Sequence, residues 1–152
     1  MKLKLIFVGK TTDKFLQEGI ELYLQKLKHY LLVDVLVIPS GKNRVQIKNE
    51  ESDNILKHIS SKDFVVLLDE KGKDLSSIDL SIQMQKWMNQ SYKKVVFITG
   101  GAFGVDDRVR KRADFVWSFS HLTFTHQMIR PMLLEQLYRA MTILKGESYH
   151  HA

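Results

Sequence analysis

The chain has 152 residues, 44% of them hydrophobic, which is enough for one domain with a sizeable core. It has no cysteine, which excludes disulfides and thiolate chemistry, and no apolar stretch of membrane-spanning length. The net charge is +6, and residues 91–152 hold nine Lys and Arg against five Asp and Glu. This charge favours an anionic partner such as nucleic acid. We expect a cytoplasmic protein, because MKLKLIFVGK lacks the long apolar region and cleavage site of a signal peptide.

Five apolar runs along the chain predict β-strands. They cover residues 2–8, 33–38, 64–68, 95–99 and 114–119. The runs are apolar on both faces, which is typical of strands buried in a parallel sheet. The polar residues 70–73 follow the third run and predict a turn.

Amphipathic segments alternate with these strands and predict helices. Asp13 can cap the first helix, whose inner face is formed by Leu16, Ile20, Tyr23, Leu24 and Leu27. Further helices are predicted within 45–59, after Asp106 or Asp107, and near 127–144. Another is capped by Ser76 or Ser77, and Asp79 has the capping-box spacing from Ser76. The alternation predicts an α/β fold in one domain over residues 1–152, with a parallel-type sheet and helices on both faces.

Pro131 lies inside the last helical pattern and constrains where that helix begins. Proline has no backbone N–H, and its ring clashes with the carbonyl four residues earlier. Either the helix kinks at Pro131 or it begins late, with Pro131 in its first turn. We prefer the late start, because residues 125–130 then stay loop-like and free to line a site.

The glycine loop 100–104, GGAFG, follows a strand and precedes a helix. It matches neither the dinucleotide fingerprint nor a phosphate-binding P-loop. Glycines at the carboxyl end of a strand allow close approach to a ligand, and the alternative is a tight connection only.

Other polar groups near residues 117–140 suggest chemistry less directly. The histidines have no metal-ligand spacing, so we expect no metal, and Ser118 and Ser120 lack a nucleophile elbow. Glu135 and Arg139 are four residues apart and can form an ion pair on one helical face.

The motifs FITGGAFG, FSHLTFTHQMIR, LLEQLYRA and GESYHH, in this order, resemble the ribosomal large subunit pseudouridine N3-methyltransferase family of the SPOUT superfamily. The resemblance runs from VGK near the start to YH near the end. It implies a C-terminal trefoil knot and S-adenosylmethionine as methyl donor. It also implies methylation of N3 of a pseudouridine in 23S rRNA on the assembled ribosome, by a homodimer with a shared active site.

The resemblance assigns roles to particular residues of this chain. The family's cofactor contacts fall on Leu68, Gly100, Phe119, Ser120, His121, Leu122, Thr123 and Phe124. Arg130, Glu135, Arg139, Tyr149 and His150 match the family's polar pattern on its RNA-facing side. We expect catalytic roles for Arg139, Tyr149 and His150, and substrate-binding roles for Arg130, Glu135 and His126. The family often has Arg or Lys after the Tyr-His pair, whereas this chain has His151 and then Ala152.

The reaction requires removal of a proton from N3, because an imide N–H is a poor nucleophile until it is deprotonated. The candidates for the proton acceptor are His150 and His126, and those for a cation that stabilises the developing charge are Arg139 and Arg130. Two other functions stay open: a non-catalytic RNA- or ribosome-binding protein with a vestigial cofactor pocket, and a nucleotide-binding enzyme that uses the glycine loop.

Overall fold

A computed structural model describes residues Met1–His151, so Ala152 lies outside the described residues. Ten elements follow one another along the chain. They are β1 (Lys2–Val8), α1 (Lys14–Lys28), β2 (Leu32–Ile38), α2 (Ile47–Lys57), β3 (Phe64–Asp74), α3 (Ser77–Asn89), β4 (Lys94–Thr99), α4 (Asp107–Arg112), β5 (Phe115–Ser118) and α5 (Ile129–Leu144).

The five strands form one sheet in the order β2-β1-β4-β3-β5, and all its strand pairs are parallel. One apolar cluster joins the sheet to α1, α3 and α5 through residues such as Leu27, Trp87 and Leu137. A second cluster joins the other face to α2 and α4 through Ile55 and Val109. The predicted parallel sheet with helices on both faces is confirmed.

The predicted turn at residues 70–73 is wrong, because β3 continues to Asp74. After Leu68 the pairing with β5 shifts register and resumes at Lys73, which pairs with Trp117. The intervening residues bulge out of the ladder. Gly72 allows this close approach, since a Cβ there would lie 2.6 Å from the carbonyl oxygen of Val116. The sequence pattern did not predict this part of β3 because its residues are polar, and they are polar because this part of the strand is largely exposed.

The helix starts agree with most of the predictions made from the sequence and differ from them in detail. Ser76 and Asp79 form the predicted capping box. Asp13 occupies the N-cap position of α1, as predicted, but its side chain makes no capping hydrogen bond. Helix α5 begins at Ile129, which places Pro131 in the first turn, as predicted. There the missing N–H is one that the helix leaves unpaired. Arg130, however, is already helical rather than part of the loop.

No helix within residues 1–151 combines the length and the hydropathy that crossing a bilayer requires.

Candidate active site

A cleft of about 570 Å³ opens beyond the ends of β4 and β5, beside the part of β3 where its pairing with β5 shifts register. Parallel strands end at the same edge of a sheet, so the loops that follow them gather side chains around one opening. The cleft is lined by Leu68, Asp69, Glu70, Lys71, Thr99, Gly100, Gly101, Ala102, Gly104, Arg110, Phe119, Ser120, Leu122, Thr123, Phe124, Thr125, His126 and Ile129.

Seven of the eight residues predicted to contact the cofactor line this cleft. The exception is His121, whose Nε2 lies 3.1 Å from the Asp74 carboxylate. The His121 side chain is 77% exposed, and it does not line the cleft. The structure therefore does not support contact between the His121 side chain and a molecule in the cleft.

The lining combines apolar walls with a few polar groups, as small-molecule sites generally do. Leu68, Phe119 and Leu122 supply apolar surface. The hydroxyl of Thr99 is buried and has no hydrogen-bond partner among residues 1–151. An unpaired buried hydroxyl is unfavourable, so a bound molecule that hydrogen-bonds to it would be stabilised.

Two carboxylates in the cleft, Asp69 and Glu70, were missed from the sequence. Asp69 forms an ion pair with Arg110. Burial alone would raise the pKa of Asp69, but hydrogen bonds from the Lys71 backbone and from Arg110 outweigh it and lower the pKa. Glu70 accepts a hydrogen bond of 2.9 Å from the Thr123 hydroxyl. An acidic pair directly after the apolar run 64–68 was the signal that could have found them.

His126 lies in the same cleft, partly buried. Burial, and then the positive charge of Arg130, lower the pKa of His126 below its ordinary value of 6.5. The imidazole is therefore largely neutral at pH 7. No hydrogen bond within residues 1–151 occupies its ring. His126 is thus placed to accept a proton from a group in the cleft.

Arg130 is wholly buried, which corrects its predicted place on the RNA-facing surface. Its guanidinium donates hydrogen bonds to the Val8 carbonyl at 2.6 Å, the Gly9 carbonyl at 2.9 Å and the Thr11 hydroxyl at 2.8 Å. It lies 5.0 Å from the centre of the Phe7 ring. Burial lowers the pKa of Arg130 to about 10. Arg130 therefore ties the start of α5 to the loop after β1, and it has no exposed surface that could contact RNA.

We predict that Arg130→Met lowers the free energy of unfolding by about 2 kcal/mol. The loss of the hydrogen bonds to Val8 and Gly9 outweighs the relief from removing a buried charge. Urea unfolding followed by circular dichroism measures the change. The exposed Arg44 is the matched control, and Arg44→Ala should stay within about 0.5 kcal/mol of wild type. Equal midpoints and slopes for Arg130→Met and wild type would contradict the role given to Arg130.

A polar cluster at the carboxyl end of the chain joins α5 to the tail. The Glu135 Oε1 atom accepts from Arg139 Nε at 3.1 Å, from Arg139 Nη2 at 2.6 Å and from the Tyr149 hydroxyl at 2.9 Å. Arg139 Nη1 lies 3.2 Å from His150 Nδ1, and its guanidinium lies 4.7 Å from the Tyr149 ring centre. The structure thus brings the three residues predicted to be catalytic together.

Glu135 holds this cluster in place. Its second oxygen accepts a hydrogen bond of 3.0 Å from Gln136, so both carboxylate oxygens have partners. Burial, followed by the hydrogen bond to Glu135, raises the pKa of Tyr149, so its hydroxyl stays protonated. These contacts support a positioning role for Glu135 rather than the predicted substrate contact.

The two predicted proton acceptors, His150 and His126, differ in the hydrogen-bond partners of their ring nitrogens. A guanidinium N–H can only donate, so His150 Nδ1 accepts from Arg139 and a neutral His150 carries its proton on Nε2. The ring of His126 has no such partner within residues 1–151 and can accept. The geometry therefore favours His126 over His150 for proton removal.

Comparison with known proteins identifies the family. The profile described as "Predicted SPOUT methyltransferase" matches residues 1–150. The chain belongs to the SPOUT methyltransferase family. It is 45% identical to the Ribosomal RNA large subunit methyltransferase H of Christiangramia forsetii, with 99% of each chain covered. The proteins of the same name from Cytophaga hutchinsonii and Halothermothrix orenii are 44% and 40% identical, over 99% of this chain and 100% and 99% of theirs.

Membership of the SPOUT family carries with it the trefoil knot that the motifs implied, whereas the strand pairs describe only the parallel sheet. Residues 1–151 contain no group of three or more His, Cys, Asp or Glu side chains that could share a metal ion.

In this SPOUT chain Glu135, Arg139, Tyr149 and His150 of the polar cluster do not line the cleft of about 570 Å³. Phe119 separates the two, because it lines the cleft and also a neighbouring pocket of about 250 Å³. Glu135 and Met132 line that second pocket, together with Tyr23, Pro131 and Gln136. Within the chain, Glu135 therefore faces a different opening from the predicted cofactor contacts, and Arg139, Tyr149 and His150 line neither opening.

Proposed function

We propose that this chain is an S-adenosylmethionine-dependent methyltransferase that methylates N3 of a pseudouridine in 23S rRNA on the assembled ribosome. The observation that carries the proposal is the end-to-end similarity to relatives named for methylation of large-subunit ribosomal RNA. The cleft supports it, because seven of the eight predicted cofactor contacts meet there.

The residues of the cleft fit S-adenosylmethionine. Leu68, Phe119 and Leu122 would pack against the adenine, and the Gly100 backbone lets it approach closely. The Glu70 carboxylate would accept hydrogen bonds from the ribose or the amino-acid end of the cofactor, and the Thr99 hydroxyl would donate or accept one there. When bound, this cofactor supplies a methyl group that is already electrophilic, so the protein mainly aligns it with the acceptor nitrogen.

We predict that Glu70→Ala weakens S-adenosylmethionine binding about tenfold or more, because a hydrogen bond to a charged group is lost. Isothermal titration calorimetry measures the change in Kd. Glu21→Ala, an exposed carboxylate on α1, is the control and should leave Kd unchanged. Equal Kd values for both variants would remove Glu70 from the proposed site.

The same calorimetry separates the proposal from a non-catalytic ribosome-binding protein. Such a protein would have lost the cofactor pocket, and it would show no heat at millimolar S-adenosylmethionine. A nucleotide-binding enzyme is disfavoured, because the glycine loop lacks a phosphate-binding motif.

We propose a homodimer in which the polar cluster of one subunit completes the cleft of the other. This arrangement is supported by the absence of Arg139, Tyr149 and His150 from the cleft lining of their own chain. Exposed apolar groups beside α5 support it as well, since Met128 and Met132 are 41% and 37% exposed. In the dimer Arg139 would stabilise negative charge that develops on the pyrimidine, while His126 takes the N3 proton.

We predict much faster methyl transfer to ribosomes than to protein-free 23S rRNA. Residues 1–151 form one sheet with its helices and contain no second folded unit for RNA, so we expect the shape of the ribosome to help place the target. Transfer of radiolabelled methyl groups to the two substrates, at matched RNA concentration, tests this. Equal rates on both would contradict the requirement for the assembled ribosome.

A further inference from the structure

The turn after β4 presents an aromatic ring to solvent at the mouth of the cleft. The Gly104 N–H donates to the Gly101 carbonyl at 3.0 Å, so Ala102 and Phe103 form the tip of the turn. Phe103 is 61% exposed and belongs to neither apolar cluster. Its neighbours in the turn line the cleft. Neither the core nor the proposed cofactor contacts explain this ring.

The loop after β2 adds positive charge beside this turn. Residues 40–49 contain Lys42, Arg44 and Lys48 and no acidic residue. Lys42 and Arg44 are exposed, and neither takes part in an ion pair within residues 1–151. The nearest carboxylate along the chain, Glu50, accepts a hydrogen bond from the Lys42 backbone N–H at 3.2 Å.

Buried Glu51 holds the two features together. One of its carboxylate oxygens accepts from the Gly41 N–H at 2.8 Å. The other packs against Gly101, where a Cβ would come within 2.6 Å of it. The loop after β1 lies alongside, because the Gly9 N–H donates to the Ile38 carbonyl at 2.7 Å. Because Gly9 is paired with Ile38, the exposed Lys10 lies at the same edge of the sheet as the loop after β2 and the turn after β4.

We propose that Lys10, Lys42, Arg44 and Phe103, here named the Phe103 rim, form a contact surface for a looped, single-stranded segment of RNA. An unpaired base would stack on Phe103, and the three cations would meet phosphates. The inference rests on the proposed function for its choice of RNA. Charge favours RNA over a second copy of the chain, because two such rims would repel each other.

Direct binding to ribosomes tests the rim without relying on methyl transfer. Sedimentation with purified ribosomes would compare wild type with Phe103→Ala and with the double variant Lys42→Gln/Arg44→Gln. The rim lies at the carboxyl ends of the strands, and the matched controls lie near their amino ends. They are Leu32→Ala, at a leucine that is 72% exposed, and Lys57→Gln/Lys62→Gln.

We expect Phe103→Ala to weaken ribosome binding about tenfold, the size of a lost base stack. The Lys42/Arg44 double variant should reduce the slope of log K against log salt by about 1.4, as for two lost phosphate contacts. Both rim variants should bind S-adenosylmethionine with the wild-type Kd, and both controls should bind ribosomes as wild type does.

Wild-type ribosome affinity and salt slope in both rim variants would overturn the inference and leave the proposed function standing. A fall in molar mass by light scattering for Phe103→Ala would also overturn it, because Phe103 would then be a subunit contact. A third outcome is that only the rim variants lose ribosome affinity, while the wild-type protein transfers no methyl group. That outcome would uphold the rim and reject the proposed function.

Discussion

Arg139→Ala should lower the rate of methyl transfer to ribosomes about 100- to 1000-fold, the usual cost of removing a group that stabilises developing charge. Arg139 is held for this role by two hydrogen bonds to Glu135 and by its contact with His150. Initial rates at saturating S-adenosylmethionine measure the loss.

The controls for Arg139 separate a catalytic effect from a structural one. Arg139 does not line the cleft, so Arg139→Ala should bind S-adenosylmethionine with the wild-type Kd. Arg139→Lys keeps the charge but cannot reproduce the forked contacts to Glu135 and His150, so it should recover only part of the rate. An Arg139→Ala enzyme that works at the wild-type rate would contradict the assignment.

His126→Gln should lower kcat about 100-fold, at the lower end of the range for a lost general base. The wild-type rate should fall as the pH drops through the folded-state pKa of His126, which lies below 6.5. Glutamine cannot take up the proton, so the variant should lack that acidic limb. A pH–rate profile measured on ribosomes compares the two, with His29→Gln as the exposed control.

Stability gives a second readout for His126 that does not depend on activity. A lowered folded-state pKa means that the folded chain binds this proton less readily than the unfolded chain. The resulting stability is present above pH 6.5 and is lost as the pH falls through the folded-state pKa. His126→Gln should therefore lose less unfolding free energy than wild type between pH 7 and pH 5. Parallel losses would contradict the lowered pKa.

The strands were predictable because their apolar runs are long and bounded by polar residues. The sheet buries them on both faces, as it does Val66 and Phe97 in one cluster and Ile98 in the other. The extension of β3 to Asp74 was not predictable, because those residues pair at the exposed end of the strand. At that end of β3 the residues face solvent rather than the core, so they are polar and lack the apolar pattern of a strand.

The site was predictable in position but less so in the role of each residue. Motif order placed Arg139, Tyr149 and His150 together, and the structure shows the contacts that join them. The prediction that Arg130 contacts RNA was wrong, because it assumed that an arginine next to a loop faces solvent, as arginines normally do. Its burial depends on carbonyls at the end of β1, more than 100 residues away along the chain, and local pattern carries no trace of that contact.

Mass mapping of 23S rRNA nucleosides tests the central claim most directly. Ribosomes that lack the modification would be incubated with this protein and S-adenosylmethionine, and their RNA would then be digested. We predict one added methyl group, on N3 of a single pseudouridine in 23S rRNA. Methylation of another nucleoside would contradict the proposed function. So would RNA that gains no methyl group although the protein binds S-adenosylmethionine.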